Sequence, residues 1–216
     1  MILYNSLGPN PRMVRMFAAE KGVELELQEV DLMGGENRRA PYTDKNPGAQ
    51  LPALELGDGS VLSEVTAICE YLDEVGPEPS LVGSSPLERA RTRMWARRVD
   101  LNVCEPMANG FRFAEGLPIF EGRMHVIPQA ADDLKQIARE RLAWLDGLME
   151  GKDFLAGQRF TMADVLLYAF LDFFSSVGQP LDDELSRLGG WFERVGSRPS
   201  AEASLHPASA AAGMRG

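Results

Sequence analysis

The chain has 216 residues, with 32 acidic and 22 basic side chains and a formal net charge of −10. This charge argues against nucleic acid or an anionic membrane surface as a partner, because both would repel the protein. The longest uninterrupted apolar run, residues 165–171, is far shorter than the ~20 residues of a membrane-spanning helix. Only two cysteines occur, Cys69 and Cys104, so we predict no disulfide framework and a cytoplasmic location without an export signal.

The first part of the chain predicts a strand, a helix and a second strand, followed by a polar segment. Residues 1–4 form an apolar strand, which a loop over residues 5–11 interrupts. Apolar residues then recur at helical spacing until Gly22, a residue type that commonly ends helices. Residues 23–30 alternate between apolar and polar, which is typical of a half-exposed edge strand. Residues 34–46 are polar and compatible with short helical turns.

A β-hairpin and a helix are predicted next. Apolar runs at residues 51–56 and 61–62 flank a Gly-Asp-Gly turn. Pro52 cannot donate to a strand ladder, so it suits the first residue of a strand and leaves the neighbouring backbone free to pair with an extended peptide. An apolar stripe at i, i+3, i+4 and i+7 predicts a helix that begins near Ser63 and Glu64. The unpaired N–H groups at its start would attract a carboxylate.

The second half of the chain predicts helices only. Residues 77–85 are rich in proline, glycine and serine and predict a linker. Helical patterns follow from Pro86 to about Glu115, along the apolar stripe of residues 134–149, after the helix cap Thr161-x-x-Asp164, and over residues 183–195. We therefore assign residues 1–76 and 86–200 to two domains, and we expect residues 201–216 to form a flexible tail.

The Leu51-Pro52 step, the hairpin and the sequence Ser63-Glu64-x-x-Ala67-Ile68 together resemble the glutathione-binding half of cytosolic glutathione transferases. The resemblance extends to about Pro199. It implies a thioredoxin-like α/β N-terminal domain followed by an all-α C-terminal domain, a cis Leu51-Pro52 bond and a homodimer. It also implies the activity: glutathione, as co-substrate, is ionised to a thiolate that attacks a small hydrophobic electrophile, a reaction typical of detoxification.

The same resemblance implies how glutathione would bind. The cysteinyl backbone would lie against Leu51, held beside Pro52, and the γ-glutamyl carboxylate would meet the helix start at Glu64 and Val65. The glycyl carboxylate would lie near an arginine and two carboxamides, which suit an anion: Asn37, Arg38 and Gln50. Most relatives carry serine or threonine where this chain has Val65, so one hydroxyl that would bind the γ-glutamyl carboxylate is missing.

A second departure from the family pattern concerns the residue that would stabilise the thiolate. Many classes use a tyrosine, serine or cysteine after the first strand, whereas the corresponding position here is Gly8. The chain thus resembles a bacterial and fungal subgroup that lacks the usual catalytic side chain. Pro9 and Pro11 have no N–H, which leaves the main-chain amides of Asn10 and Arg12 as the expected donors, with the side chains of Ser6 and Asn10 as further candidates.

The electrophile is expected at the domain boundary, near Phe111, Arg112 and Phe113, although aromatic residues at this spacing equally suit a core. Arg112 could steer an anionic or nitroaromatic substrate. His125 and His206 have no neighbours at ligand-like spacing, so no metal site is predicted. Two alternatives remain open: a glutathione-dependent disulfide reductase on the same scaffold, and a non-catalytic protein that binds glutathione or another ligand.

Overall fold

The computed structural model describes all residues from Met1 to Gly216. Its N-terminal half is built around a four-stranded sheet. The elements in chain order are β1 (Ile2–Asn5), α1 (Pro9–Lys21), β2 (Glu26–Glu29), a 3₁₀ turn (Glu36–Arg38), α2 (Tyr42–Lys45), β3 (Ala53–Glu55), β4 (Val61–Ser63) and α3 (Val65–Val75).

The sheet has the strand order β2-β1-β3-β4. Strands β1 and β2 are parallel, and β1/β3 and β3/β4 are antiparallel. This arrangement is the predicted thioredoxin-like one, with the alternating strand β2 at an edge. Leu3 pairs with Leu54 in the middle of the sheet, and both side chains are completely buried.

The residue before helix α1 has a backbone conformation that only glycine adopts readily. Gly8, the residue before it, has φ 149°, in the region that side chains rarely occupy. Pro9 and Pro11 lie in the first turn, where a missing N–H costs no intrahelical hydrogen bond. The helix ends at Gly22, whose φ of 63° is left-handed, as the sequence predicts.

The C-terminal half is helical throughout. Its elements are α4 (Pro86–Val99), a π-helical turn (Asp100–Cys104), α5 (Glu105–Arg112), α6 (Leu117–Phe120), a 3₁₀ turn (Pro128–Ala130), α7 (Ala131–Leu148), α8 (Met162–Ser176), α9 (Ser186–Gly196), α10 (Pro199–Ala203) and α11 (Ser209–Ala212). The long helix predicted from Pro86 is therefore interrupted by a π turn, a feature often found at functional sites. None of these helices combines the length and apolar character needed to cross a bilayer.

One hydrophobic core joins the two halves. A single cluster of 41 buried residues includes side chains of α1, α3, α4, α5, α7 and α8. An ion pair also joins the halves: Arg12 of α1 is completely buried and donates from Nη1 to Asp172 Oδ2 of α8 at 2.5 Å. The helix that starts beside the loop of residues 5–8 is thus fixed directly to the central helix of the C-terminal half.

The linker and the last residues are both attached to this core. In the predicted linker, Leu81 and Val82 are buried, and the Asp73 carboxylate accepts hydrogen bonds from both of their N–H groups. Residues 201–216, expected from the sequence to be flexible, fold back in the structure. Arg215 pairs with Asp172, and its carbonyl oxygen accepts from Arg12 Nη1 at 2.7 Å.

Candidate active site

Two adjoining cavities lie where the N-terminal half faces the helices of the C-terminal half. One is mostly polar, with a volume of about 460 Å³, and the other is mostly apolar, with a volume of about 610 Å³. They share a boundary formed by six residues from both halves of the chain: Asn10, Gln50, Leu51, Ala108, Arg112 and Phe170. The arrangement suits a reaction between two ligands, each held in its own compartment.

The Leu51-Pro52 step forms one wall of the polar cavity. The peptide bond between these residues is cis, as the resemblance implies. The segment is held from behind, because the Gln50 carbonyl oxygen accepts hydrogen bonds from Tyr42 Oη at 2.5 Å and Asn46 Nδ2 at 2.9 Å. The main chain of Leu51 makes no backbone hydrogen bond. It can therefore pair with an extended peptide in the manner of an added strand.

The start of α3 forms a second wall of the polar cavity, through Ser63, Glu64, Val65 and Thr66. Glu64 adopts φ 70°, a conformation that costs about 1–3 kcal/mol in a non-glycine residue and is concentrated at ligand sites. The first N–H groups of a helix have no intrahelical acceptor, and they carry the positive end of the helix dipole. This wall therefore favours an anionic group.

Asp100 and Glu105 line the polar cavity opposite the sheet, and sequence reasoning missed them. Burial raises the pKa of the Asp100 carboxyl. The positive charge of Arg97 lowers this pKa, and the negative charges of Glu105 and Glu64 raise it, so that the net shift is upward. Such a group of acids suits an ammonium ion. No local sequence signal could have found it, because the π turn that carries Asp100 meets Glu64 only in the folded chain.

The loop before α1 and its first turn lie at the boundary of the cavities. Ser6 lines the apolar cavity, and Asn10 lines both. The Asn10 N–H donates no backbone hydrogen bond. The prediction for Arg12 is wrong, because its N–H donates to the Gly8 carbonyl oxygen at 3.2 Å and its buried guanidinium binds Asp172. Asn10 is thus the residue of this turn that offers an unpaired N–H and lines both cavities.

The three residues predicted to bind a glycyl carboxylate do not come together. Gln50 lines both cavities. Asn37 lines only the apolar one, where its Nδ2 donates to the Ala49 carbonyl oxygen at 2.6 Å. Arg38 lines neither cavity, and its Nη1 donates to the Arg123 carbonyl oxygen at 2.7 Å, so its predicted role stays a prediction. Its side chain is long enough to reach a carbonyl in the C-terminal half, which the sequence pattern could not indicate.

The apolar cavity is walled by aromatic side chains of α5, α6 and α8. Phe111 packs edge-on against Phe120 and Phe173, with ring centroids 6.4 and 6.0 Å apart. Phe113 is buried but lines neither cavity, so its prediction is wrong. Sequence reasoning treated the aromatic face of α8 only as core, yet three of its rings also line the cavity: Phe170, Phe173 and Phe174. Four residues of the tail line it as well: His206, Ala208, Ala212 and Met214.

Arg112 is the one arginine that lines either cavity, and it lines both. Its Nη1 donates to Asn109 Oδ1 at 3.0 Å and lies 3.9 Å from the Glu105 carboxylate. Its guanidinium carbon is 5.8 Å from the centre of the Phe120 ring. The structure thus places a cation at the boundary of the two cavities. No group of three or more His, Cys, Asp or Glu side chains is arranged to hold a metal ion.

Comparisons with known proteins match both halves. Residues 7–75 match the family model described as the N-terminal domain of glutathione S-transferase, and residues 114–199 match the C-terminal domain model. Glutathione S-transferase 2 of Saccharomyces cerevisiae is 31% identical, over 95% of this chain and 89% of the relative. The chain belongs to the glutathione S-transferase family.

Solved structures agree with this assignment. A glutathione S-transferase domain-containing protein of Marinobacter aquaeolei VT8 is 38% identical with a TM-score of 0.87, and it covers 93% of this chain and 99% of its own. Gtt2 of S. cerevisiae is 30% identical with a TM-score of 0.88, and it covers 95% and 100% of the two chains. The predicted glutathione transferase fold is therefore confirmed. Glutathione is the ligand for which the family is named.

Proposed function

We propose that the protein is a glutathione transferase that conjugates the glutathione thiolate to small hydrophobic, aromatic electrophiles. The observation that carries this proposal is the adjoining pair of cavities, one polar with a free strand edge at Leu51 and one walled by aromatic rings. Asn10 and Arg112 stand on their shared boundary, where a bond between the two ligands would form.

Glutathione is placed in the polar cavity as an added strand. Its cysteinyl amide and carbonyl pair with the free main chain of Leu51. The γ-glutamyl carboxylate meets the N–H groups of Val65 and Thr66 at the start of α3, and its ammonium faces Asp100 and Glu105. In this orientation the cysteinyl sulfur points towards the boundary with the apolar cavity.

The sulfur must be ionised to react, because the thiolate is the nucleophile and a free thiol has a pKa near ~8.5. We assign this stabilisation to the N–H and the side-chain amide of Asn10, with the Ser6 hydroxyl as a second, weaker donor. Pro9 and Pro11 beside it offer no N–H. This mode would group the protein with relatives that lack the usual catalytic tyrosine, serine or cysteine.

Turnover assays test the proposed reaction. We expect the purified protein to conjugate glutathione to a chlorodinitrobenzene and to reduce hydroxyethyl disulfide more slowly. The reverse ranking would favour a glutathione-dependent disulfide reductase. Retention on immobilised glutathione without either activity would indicate a non-catalytic binding protein. A thiolate absorbance band of bound glutathione that appears only above about pH 8.5 would contradict the proposal.

Val65 gives a prediction about affinity. Replacing Val65 by serine adds a hydroxyl beside the N–H groups that meet the γ-glutamyl carboxylate. A hydrogen bond to a charged group contributes roughly 1.5–3 kcal/mol, so we expect glutathione to bind about tenfold more tightly. Isothermal titration calorimetry measures the change, and Val65→Ala is the control that removes the methyl groups without adding a donor. Unchanged binding by Val65→Ser would contradict this orientation of the ligand.

A homodimer is also part of the proposal. Leu87, Met94 and Leu101 are spaced seven residues apart along α4 and the π turn, and they are 59%, 44% and 49% exposed. An exposed apolar stripe of this kind is typical of a surface that a partner covers. Arg93 flanks it and is held by both oxygens of Glu70. A second copy of the chain is the partner that the family resemblance implies.

Met94→Glu tests the dimer. The substitution places an unpaired carboxylate in the proposed interface, so we expect the protein to sediment as a monomer in analytical ultracentrifugation at micromolar concentration. Met124→Glu is the matched control, because Met124 is similarly exposed, at 40%, but lies outside α4. A dimer that survives Met94→Glu, or that is equally disrupted by Met124→Glu, would contradict this interface.

A further inference from the structure

We infer that the electrophile is an aromatic compound that carries a carboxylate, and that Arg112 binds this carboxylate in the apolar cavity. The inference rests on the proposed function and narrows it, because it names the chemical class of the second substrate. It is carried by a partly buried arginine whose charge is only weakly neutralised within the chain.

The Arg112 guanidinium keeps most of its hydrogen-bonding capacity free. A guanidinium has five N–H donors, and this one makes a single hydrogen bond within the chain, from Nη1 to Asn109 Oδ1 at 3.0 Å. Nη1 also lies 3.9 Å from the Glu105 carboxylate, but that side chain is 55% exposed, and such an ion pair contributes little. The Arg112 side chain is only 24% exposed, so water covers a small part of its surface. Its free donors therefore suit an oxyanion.

Other partly or fully buried arginines of the chain have their partners in place. Arg198 donates from Nε and Nη2 to the two carboxylate oxygens of Glu20, at 2.7 and 2.6 Å. Arg12 has Asp172. In Arg112, the same planar pair of parallel N–H groups is left for a ligand.

The Arg112 guanidinium lies beside the aromatic wall. Its central carbon is 5.8 Å from the centre of the Phe120 ring. Phe120 and Phe111, whose ring centres are 6.4 Å apart, both line the apolar cavity. An aromatic ligand that packs against these rings would have the guanidinium at its edge, where a carboxylate substituent can accept two N–H groups at once.

The other ionisable side chains of the apolar cavity already have partners. Glu29 accepts from Asn5 Nδ2, and it pairs with His206 Nε2 at 2.9 Å. Asp31 Oδ1 accepts from a main-chain N–H at 2.7 Å. Arg112 is thus the ionised group of this cavity that has both a positive charge and free donors.

Long-range electrostatics act against this substrate class. The chain carries a formal charge of −10, so its overall field disfavours an approaching anion. A preference for a carboxylate-bearing electrophile must therefore come from a local contact. A hydrogen bond between two charged groups would favour the anion over its neutral carboxamide by about 10- to 100-fold.

Turnover of two matched electrophiles with glutathione is the test: a chlorodinitrobenzoate, and the chlorodinitrobenzamide with the same substitution pattern. In both, the thiolate sulfur forms a bond to the ring carbon, and chloride leaves with the electron pair of the C–Cl bond. The carboxylate is not consumed and reports on binding. Each kcat/KM is divided by the uncatalysed rate constant with glutathione, which removes the difference in intrinsic reactivity.

We expect this normalised kcat/KM to be about tenfold or more higher for the benzoate, chiefly through a lower KM. A ratio below about threefold would overturn the inference and leave the proposed function intact. Turnover of neither electrophile would reject the proposed function itself, and the inference with it.

Variants of Arg112 assign the preference to this side chain. Arg112→Gln keeps an amide donor but removes the charge, and it should reduce the benzoate preference to less than about threefold. Arg112→Lys keeps the charge without the planar donor pair and should retain part of the preference. Arg139→Gln is the matched control, because Arg139 is exposed on α7 and donates to Gln136; it should keep the full preference. A preference that survives Arg112→Gln would overturn the assignment.

The pKa of the bound glutathione thiol distinguishes this role from an action on the sulfur. An ultraviolet titration of the Arg112→Gln complex should give a thiol pKa within about half a unit of that in the unmodified chain. A raised thiol pKa, together with an equal loss of turnover for both electrophiles, would mean that Arg112 stabilises the thiolate, and would overturn the inference.

Discussion

Replacing Asn10 by alanine is expected to lower kcat/KM for conjugation by about 100-fold, with little change in the affinity for glutathione. Removal of one donor to a developing or resident anion in an enzyme site typically costs 10²–10³ in rate, roughly 3–4 kcal/mol. The pKa of the bound thiol should rise, so the thiolate absorbance of the complex should appear at higher pH than in the unmodified protein. Steady-state kinetics and an ultraviolet pH titration measure the two effects.

Ser6→Ala is the matched control for this prediction. Both side chains line the apolar cavity, but only Asn10 also lines the polar cavity, in which we propose that glutathione binds. We therefore expect Ser6→Ala to lower kcat/KM by less than about tenfold. If Ser6→Ala lost 100-fold while Asn10→Ala stayed near the original rate, the serine would be the group that stabilises the thiolate.

Replacing Asp164 by alanine is expected to lower the free energy of unfolding by about 4 kcal/mol, because several buried donors lose their acceptor at once. The completely buried carboxylate accepts from the N–H groups of Leu155 and Thr161, both at 2.9 Å, from the Thr161 hydroxyl at 3.0 Å and from Trp191 Nε1 at 2.8 Å. The Asp164 carboxylate thereby joins the start of α8 to α9 and to the loop that precedes α8. Urea unfolding followed by tryptophan fluorescence and circular dichroism checks the loss.

Two further variants define what Asp164 contributes. Asp164→Asn keeps one acceptor oxygen, so it should lose less than half as much stability as alanine. Asp133→Ala removes an exposed acid from the first turn of α7 and should change stability by no more than about 0.5 kcal/mol. Equal losses for Asp164→Ala and Asp133→Ala would show that the buried hydrogen bonds make no special contribution.

Most of the fold could be predicted because its signals are local. The hairpin, the Thr161 cap and the glycine that ends α1 each depend on residues within a few positions of one another, and the structure has all three. The π turn after α4 was not predicted, because the helical pattern of apolar residues continues across it without a break.

The candidate site likewise contains residues that local sequence signals predict and residues whose contacts are long-range. Leu51, Pro52, Glu64 and Val65 form one contiguous hairpin and helix start, and the structure brings them to the same cavity. Arg38 was predicted from the family resemblance, and Arg12 from the resemblance and the prolines beside it. Their long side chains instead contact the C-terminal half, where Asp172 and the Arg123 carbonyl offer partners that a linear pattern cannot show.

The sequence by itself determined the order of strands and helices in the first half and the helical character of the second, since hydrogen bonding and periodicity act between near neighbours. Only the tertiary structure decided which side chains line the two cavities. Asp100 and Glu105 are acids that a sequence pattern places at the surface, and the aromatic face of α8 has the pattern of a core, yet all of them line the cavities. Whether such a face lines a cavity depends on how the two halves pack, a property of their joint core and not of any one element.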